Sequence, residues 1–164
     1  MNSTKPTVAV VGAGPDLGRA IARRFGSAGH PVALISRHAE KLRGIADDLA
    51  AEGIIARAYP ADVTDAKALT GALEAAAEEL GRIGVLSYSP APTFPNVAGQ
   101  VPDLKALGFT AAAETTPESV RPMFDMLVGG ALTAAAAACR ACARPATAPC
   151  CSPRVPPPST PSRG

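Results

Sequence analysis

The pattern that most narrows what this chain can become is a repeated strand–helix unit. "TVAVVG" (Thr7–Gly12) is a β-branched apolar run without alternation, the mark of a strand buried on both faces. Leu17–Ala28 then turns helical, with Leu17, Ala20, Ile21 and Phe25 on one face and Arg19, Arg23 and Arg24 outside it, and "GHP" (Gly29–Pro31) stops it. The unit recurs as "VALIS" (Val32–Ser36) followed by "AEKLRGIADDLAAEG", whose Leu42, Ile45, Ala46 and Leu49 face inward. It recurs again as "IIARAYP" followed by "TDAKALTGALEAAAEELG", where Thr64 or Asp65 is available as the N-cap. "IGVLSYS" supplies a fourth strand. A spacing of about 25 residues per unit is what right-handed βαβ crossovers need. The expected fold is therefore α/β: a Rossmann-type, doubly wound parallel sheet of about four strands in the order 3-2-1-4, incomplete at one side.

After the fourth strand the pattern loosens. Pro90–Pro117 reads as a long irregular loop, and Glu118–Ala138 as a fourth helix with Met123, Met126, Leu127, Ala131, Leu132 and Ala135 along one side. A fifth strand is due next and does not come. Composition changes abruptly instead: residues 1–138 hold all 14 acidic residues and no cysteine, whereas 139–164 hold all 4 cysteines, many of the prolines, and no acid, Lys, Leu, Ile, Phe or Tyr. The expectation is an ordered unit over 1–138 and a disordered Pro/Cys/Arg-rich tail over 139–164.

Charge and aromatic content exclude several functions. Sixteen basic against 14 acidic residues leave a net charge of +2, too balanced for a nucleic-acid or anionic-membrane surface. With no Trp and 4% aromatic residues there is no stacking platform for bases. "MNSTKPTVAVVGAG" runs straight into a strand pattern, so neither a signal peptide nor a transmembrane helix is expected, and the location expected is cytoplasmic.

Chemistry enters at "VVGAGPDLGRAIA". Gly12 permits a tight turn after the first strand, Gly14 lets backbone approach a pyrophosphate, and Gly18 lets helix pack closely on strand. The helix beyond this loop offers free N–H groups and a partial positive charge to phosphates. At the end of the second strand an acid would hold a ribose 2′-hydroxyl, whereas an arginine accommodates a 2′-phosphate. "LISRHAEKL" provides Ser36 and Arg37 and no acid, which favours NADP(H) over NAD(H).

Over roughly residues 7–138 the sequence resembles the short-chain dehydrogenase/reductase family. That family's Gly-x-x-x-Gly-x-Gly loop maps onto Gly12, Asp16, Leu17 and Gly18, so an aspartate stands where the family has its middle glycine. "ADVTD" resembles the family's Asp-Val pair, which implies that Asp62 meets the adenine amino group and Val63 lies beside the ring. "YSPA" (Tyr88–Ala91) stands where the family commonly has Asn-Asn-Ala-Gly, placing Ser89 and Pro90 at the cofactor and removing one backbone donor. The resemblance thus implies NAD(P)-dependent hydride transfer between a carbonyl and an alcohol of a small-molecule substrate. Asp16 should weaken cofactor binding. Either it caps the helix and occupies the amides a phosphate needs, or it faces the phosphates at a cost on the order of 1–3 kcal/mol.

The family's catalytic pair is absent. Tyr-x-x-x-Lys puts a proton-transferring phenol and a pKa-lowering ammonium one helical turn apart. Here Tyr59 is followed at the fourth position by Val63, Tyr88 by Pro92, and the last lysine is Lys105. No Gly-x-Ser-x-Gly elbow replaces it, so no catalytic residue is expected. Cys139-x-x-Cys142 with Cys150-Cys151 could in principle form a zinc site, but an adjacent cysteine pair separated by prolines is a poor match, and no metal is expected. The tail fits better as GC-rich DNA read out of register. Codons straddling Ala138/Cys139 and Pro149–Ser152 give apolar residues when shifted by one base, in keeping with the missing fifth strand. A frameshift near residues 133–138 would leave the cofactor-binding half of an oxidoreductase, its usual dimer and tetramer contacts incomplete. The competing expectations are a non-catalytic NADP(H)-binding or regulatory module and a metal-binding tail.

Overall fold

The structure, a computed structural model, describes residues 5–91 and 111–142. Four strands, β1 (Thr7–Val11), β2 (Val32–Ser36), β3 (Ala56–Pro60) and β4 (Ile83–Tyr88), alternate with α1 (Leu17–Gly26), α2 (Ala39–Ala51) and α3 (Ala66–Leu80). All pair in parallel in the order β3-β2-β1-β4, the α/β arrangement expected. β1 is buried along its whole length because it is central and covered on both faces. Its alternate residues divide between two cores. Val8 and Val10, with Val32 and Leu34 of β2, meet Ala22 of α1 and Leu42, Ile45 and Leu49 of α2. Ala9 and Val11, with Ala33 and Ile35, meet Leu69, Leu73 and Ala76 of α3 and Ala134, Ala137 and Ala138 beyond. Each fully buried Leu or Val contributes about 1.5–3 kcal/mol relative to an exposed one.

Asp65, one of the two cap candidates, caps α3: its carboxylate accepts from the Lys67 and Ala68 amides at 3.0 Å each. In α1 Arg23 and Arg24 point outward as expected and Arg19 is half-buried, but Leu17 and Ala20, assigned inward, are exposed. Both stand in the helix's first turn, and the buried positions of the helix are Gly18, Ala22 and Gly26.

The last helical stretch departs most from expectation. It consists of α4 (Pro117–Phe124), a π-helical turn (Asp125–Gly129) and α5 (Gly130–Cys142), joined without a break in right-handed helical dihedrals. Thr116 and Ser119 form a reciprocal capping box at its start, with Pro117 at the first position. The helix continues through Cys142, the last described residue. Of the stripe expected inward, Leu127 and Leu132 are exposed, as is Ala135. The buried positions are Gly130, Ala134, Ala137 and Ala138. The extra residue of the π turn rotates α5 relative to α4, and the small side chains let the helix backbone approach α3 and β4 closely. Pro117–Ala141 is long and apolar enough to cross a membrane by length and composition. Ala134, Ala137 and Ala138 join the core beside α3, while only 17% of that stretch's most apolar window is buried. The loop expected between Pro90 and Pro117 falls largely on 92–110 and the tail on 143–164, both outside the described residues.

Candidate functional site

Parallel strands all deliver their carboxyl ends to one edge of the sheet, and between β1 and β4 the chain order reverses, which opens a crevice there. All four strands contribute to a cavity of about 310 Å³ at that edge. Gly12 and Gly14 line it after β1, Ser36 and Arg37 at the end of β2, Asp62 and Val63 after β3, and Ser89 and Pro90 after β4. Eight of the eleven residues expected to hold a cofactor therefore converge, from segments up to 78 positions apart. Size and polarity suit a small organic ligand.

The glycine loop is built by contacts only glycine permits. Gly12 has φ +87°, and a Cβ on it would lie 2.5 Å from the Pro90 nitrogen and the Ser89 carbonyl carbon. Its amide and that of Ala13 donate to the Ile35 carbonyl at 2.9 and 3.1 Å, tying the turn to β2. Gly18 does not line the cavity: a Cβ there would lie 2.7 Å from the Ala13 Cα, so it serves the close packing of α1 on the loop. Gly14 is the reverse case. A Cβ on it would meet nothing within 4 Å, and that open space belongs to the cavity.

Asp16 and Leu17 also lie outside the cavity. The Asp16 side chain makes no capping bond and is exposed on the surface shared with Arg19, Arg23 and Arg24. Neither of its two expected positions, over the helix amides or toward the phosphates, is taken. The first bonded amides of α1 are Arg19 and Ala20, which donate to the Gly14 and Asp16 carbonyls at 2.9 and 3.0 Å. The amides of Leu17 and Gly18 precede them with no carbonyl partner among the described residues, the orphan donors of a helix start. Any role for Leu17 is thus through its backbone.

At the far end, Asp62 Oδ1 accepts from the Thr64 amide at 2.9 Å and the Thr64 hydroxyl at 2.7 Å. These bonds, the amide first, hold the carboxyl below its usual range, with a smaller contribution from the charge of Arg37. Both fall on one oxygen. Ser89 Oγ is buried and has no hydrogen-bond partner, an unmet polar atom in the cavity lining. Sequence reasoning missed Pro15, His38, Lys41, Thr64 and Met126. Lys41 was detectable: it stands one turn into α2 from Arg37, where a second cation faces the same end. Met126 was not, since it arrives from the π turn of a different helix.

An orphan hydroxyl, a glycine cradle open to the cavity, unpaired helix amides and an adjacent cation pair together form a donor set that fits an anionic nucleotide. Among the described residues no group of three or more His, Cys, Asp or Glu is placed to hold a metal; Cys139 is exposed on α5, and the other three cysteines of the tail are outside those residues or without a described side chain.

A family model for short chain dehydrogenase matches residues 6–147. The 2,3-dihydro-2,3-dihydroxybenzoate dehydrogenase of Bacillus subtilis is 36% identical over 77 residues, which are 47% of this chain and 30% of that protein. Among solved structures, a short-chain dehydrogenase/reductase from Serratia marcescens superposes with a TM-score of 0.67 at 22% identity, covering 85% of this chain and 52% of that one. A variant of actinorhodin polyketide ketoreductase with NADPH gives 0.68 at 24%, covering 86% and 49%. The chain thus spans about half the length of these structural neighbours and less than a third of the curated relative.

Proposed function

Because this chain belongs to the short-chain dehydrogenase family, matching its model over residues 6–147, we propose that its cavity holds the adenylate half of NADP(H) and that these 164 residues bind the cofactor without turning over a substrate. The single observation that carries the reading is the convergence of Gly14, Arg37, Asp62 and Ser89 on one cavity at the strand ends. In this reading the pyrophosphate sits over Gly14 at the Leu17 and Gly18 amides. The oxygen of Asp62 that Thr64 leaves alone accepts from the adenine amino group. Ser89 Oγ finds its missing partner on the ribose, and Arg37 with Lys41 and His38 receives the 2′-phosphate.

The cofactor, when bound, would supply hydride chemistry; the cavity residues bind and orient it. Tyr-x-x-x-Lys is absent from the sequence, so the family's proton-transferring pair is not among these residues. The Tyr88 hydroxyl is committed to the Met126 carbonyl and Tyr59 to Glu79 at 2.8 Å, which removes both phenols as substitutes. Asp16 is no obstacle in this geometry. The family's oxidoreductase activity is the inheritance, and cofactor retention is what this chain keeps.

Calorimetric titration with NADPH and NADH tests the reading. NADPH is expected to bind more tightly, and Arg37→Ala should weaken NADPH by about 10- to 100-fold, the worth of a charge-assisted phosphate bond, while barely changing NADH. Equal affinity for both cofactors in the wild-type protein would refute the 2′-phosphate assignment. Carbonyl-dependent NADPH oxidation at enzymatic rates would refute the non-catalytic one.

A further inference from the structure

In an α-helix the Met126 carbonyl would receive the amide of Gly130, four residues on. In the π turn that amide goes to the Asp125 carbonyl instead. The phenol of Tyr88, from the end of β4, donates to the Met126 carbonyl, which the Gly130 amide has given up. The approach depends on the residue at 130: a Cβ there would collide with the Tyr88 hydroxyl and come within 2.8 Å of the Val63 carbonyl oxygen. Desolvation raises the Tyr88 pKa above its ordinary value of 10.0, so the phenol remains a donor throughout the neutral range. Met126, one residue from the start of this turn, lines the cavity with Asp62 and Val63.

From this geometry we propose that Tyr88 is a positioning residue for the cofactor cavity: its hydroxyl holds the π turn at Met126 and thereby fixes the Met126 side chain at the Asp62–Val63 end, where an adenine ring would lie. The proposal rests on the cofactor reading for its consequence, but its mechanical half stands on the helix alone. Without the phenol the Met126 carbonyl loses this side-chain donor, and the turn can relax toward α-helical pairing by handing the Gly130 amide back. That moves Met126 and leaves α4, capped by Thr116 and Ser119, in place. π turns are concentrated at functional sites for this kind of local re-aiming.

Methyl-labelled methionine makes the test simple, because the chain has 3 methionines and Met123 is an internal control on the same helix. In the unliganded protein, Tyr88→Phe should shift and sharpen the Met126 methyl resonance toward the free-chain position while Met123 stays put. Gly130→Ala, which displaces the hydroxyl from the other side, should give the same signature. Titration with 2′,5′-ADP, the adenylate fragment, should be weakened about 3- to 10-fold by Tyr88→Phe, the range for one neutral hydrogen bond. In a Met126→Ala background the same substitution should change affinity by less than about twofold. An unmoved Met126 methyl, or Met123 and Met126 moving together in both variants, overturns the proposal, as does an undiminished Tyr88→Phe effect in the Met126→Ala background. If the wild-type protein fails to bind 2′,5′-ADP, the cofactor reading falls, while the methyl spectra still decide whether Tyr88 fixes Met126.

Discussion

α2 and α5 each cover one face of the same sheet, and they do so by opposite means. α2 buries Leu42, Ile45, Ala46 and Leu49, filling its gap with side-chain volume. α5 buries Ala134, Ala137 and Ala138 after Gly130, filling its gap with its own backbone drawn close, while Leu132 stands 67% exposed on the far side. A bulky stripe tolerates small shifts of the helix axis, because side chains can repack. A small-residue stripe does not, because backbone meets backbone. The second kind of contact is what allows one helix to deliver Met126 to a cavity built otherwise from strand ends.

The largest effect that would sharpen this contrast comes from the bulky side. Leu42→Ala or Leu49→Ala, both fully buried, should lower unfolding free energy by about 2–5 kcal/mol in denaturant titrations, the range for a cavity left in a packed core. Enlarging the other side is next. Ala134→Leu should cost about 1–3 kcal/mol by overpacking, and no loss there would show that α5 has room and that its closeness is incidental.

A third test uses the phenols, both of which lie on the α3/α5 side. Burial first, then the hydrogen bond and charge of Glu79, push Tyr59 far above its ordinary pKa of 10.0, and burial raises Tyr88. A raised folded-state value means this contribution to stability is fully present below about pH 10 and is lost as pH climbs through the folded values. With 2 tyrosines and no Trp, absorbance at the phenolate band near 295 nm reads these residues alone. The folded protein should show little ionisation at pH 10 and a steep rise on alkaline unfolding. Ordinary titration near pH 10 would mean that this face is open to water. The smallest effect belongs to the outer surface: Leu132→Ser should change stability by within about 0.5 kcal/mol, and a larger loss would mean that something covers that side.

The legibility of fold and site in the sequence divides along the same line. Each βα unit carries its own evidence within about 25 residues: an unbroken apolar strand, a period-3.6 helix and a glycine or cap between them. Three such units with right-handed crossovers leave little choice of strand order, and the glycine loop fixes which edge holds the cavity. Arg37 and Asp62 are readable for that reason, since each stands at the end of a strand whose direction is already known. The inward face of the last helix is not, because hydrophobicity favours leucine over glycine and alanine as the inward residue. There the sheet selected closeness over bulk.

Sequence alone determined the α/β class, the strand order and the strand-end residues, because these depend on patterns that repeat locally and on handedness common to all L-chains. Only the tertiary structure decided that Asp16 turns away from the cavity, that Gly18 serves packing, and that a π turn locked by Tyr88 carries Met126 to the site. Each of these depends on how near one backbone comes to another far along the chain, a distance that no window of neighbouring residues encodes.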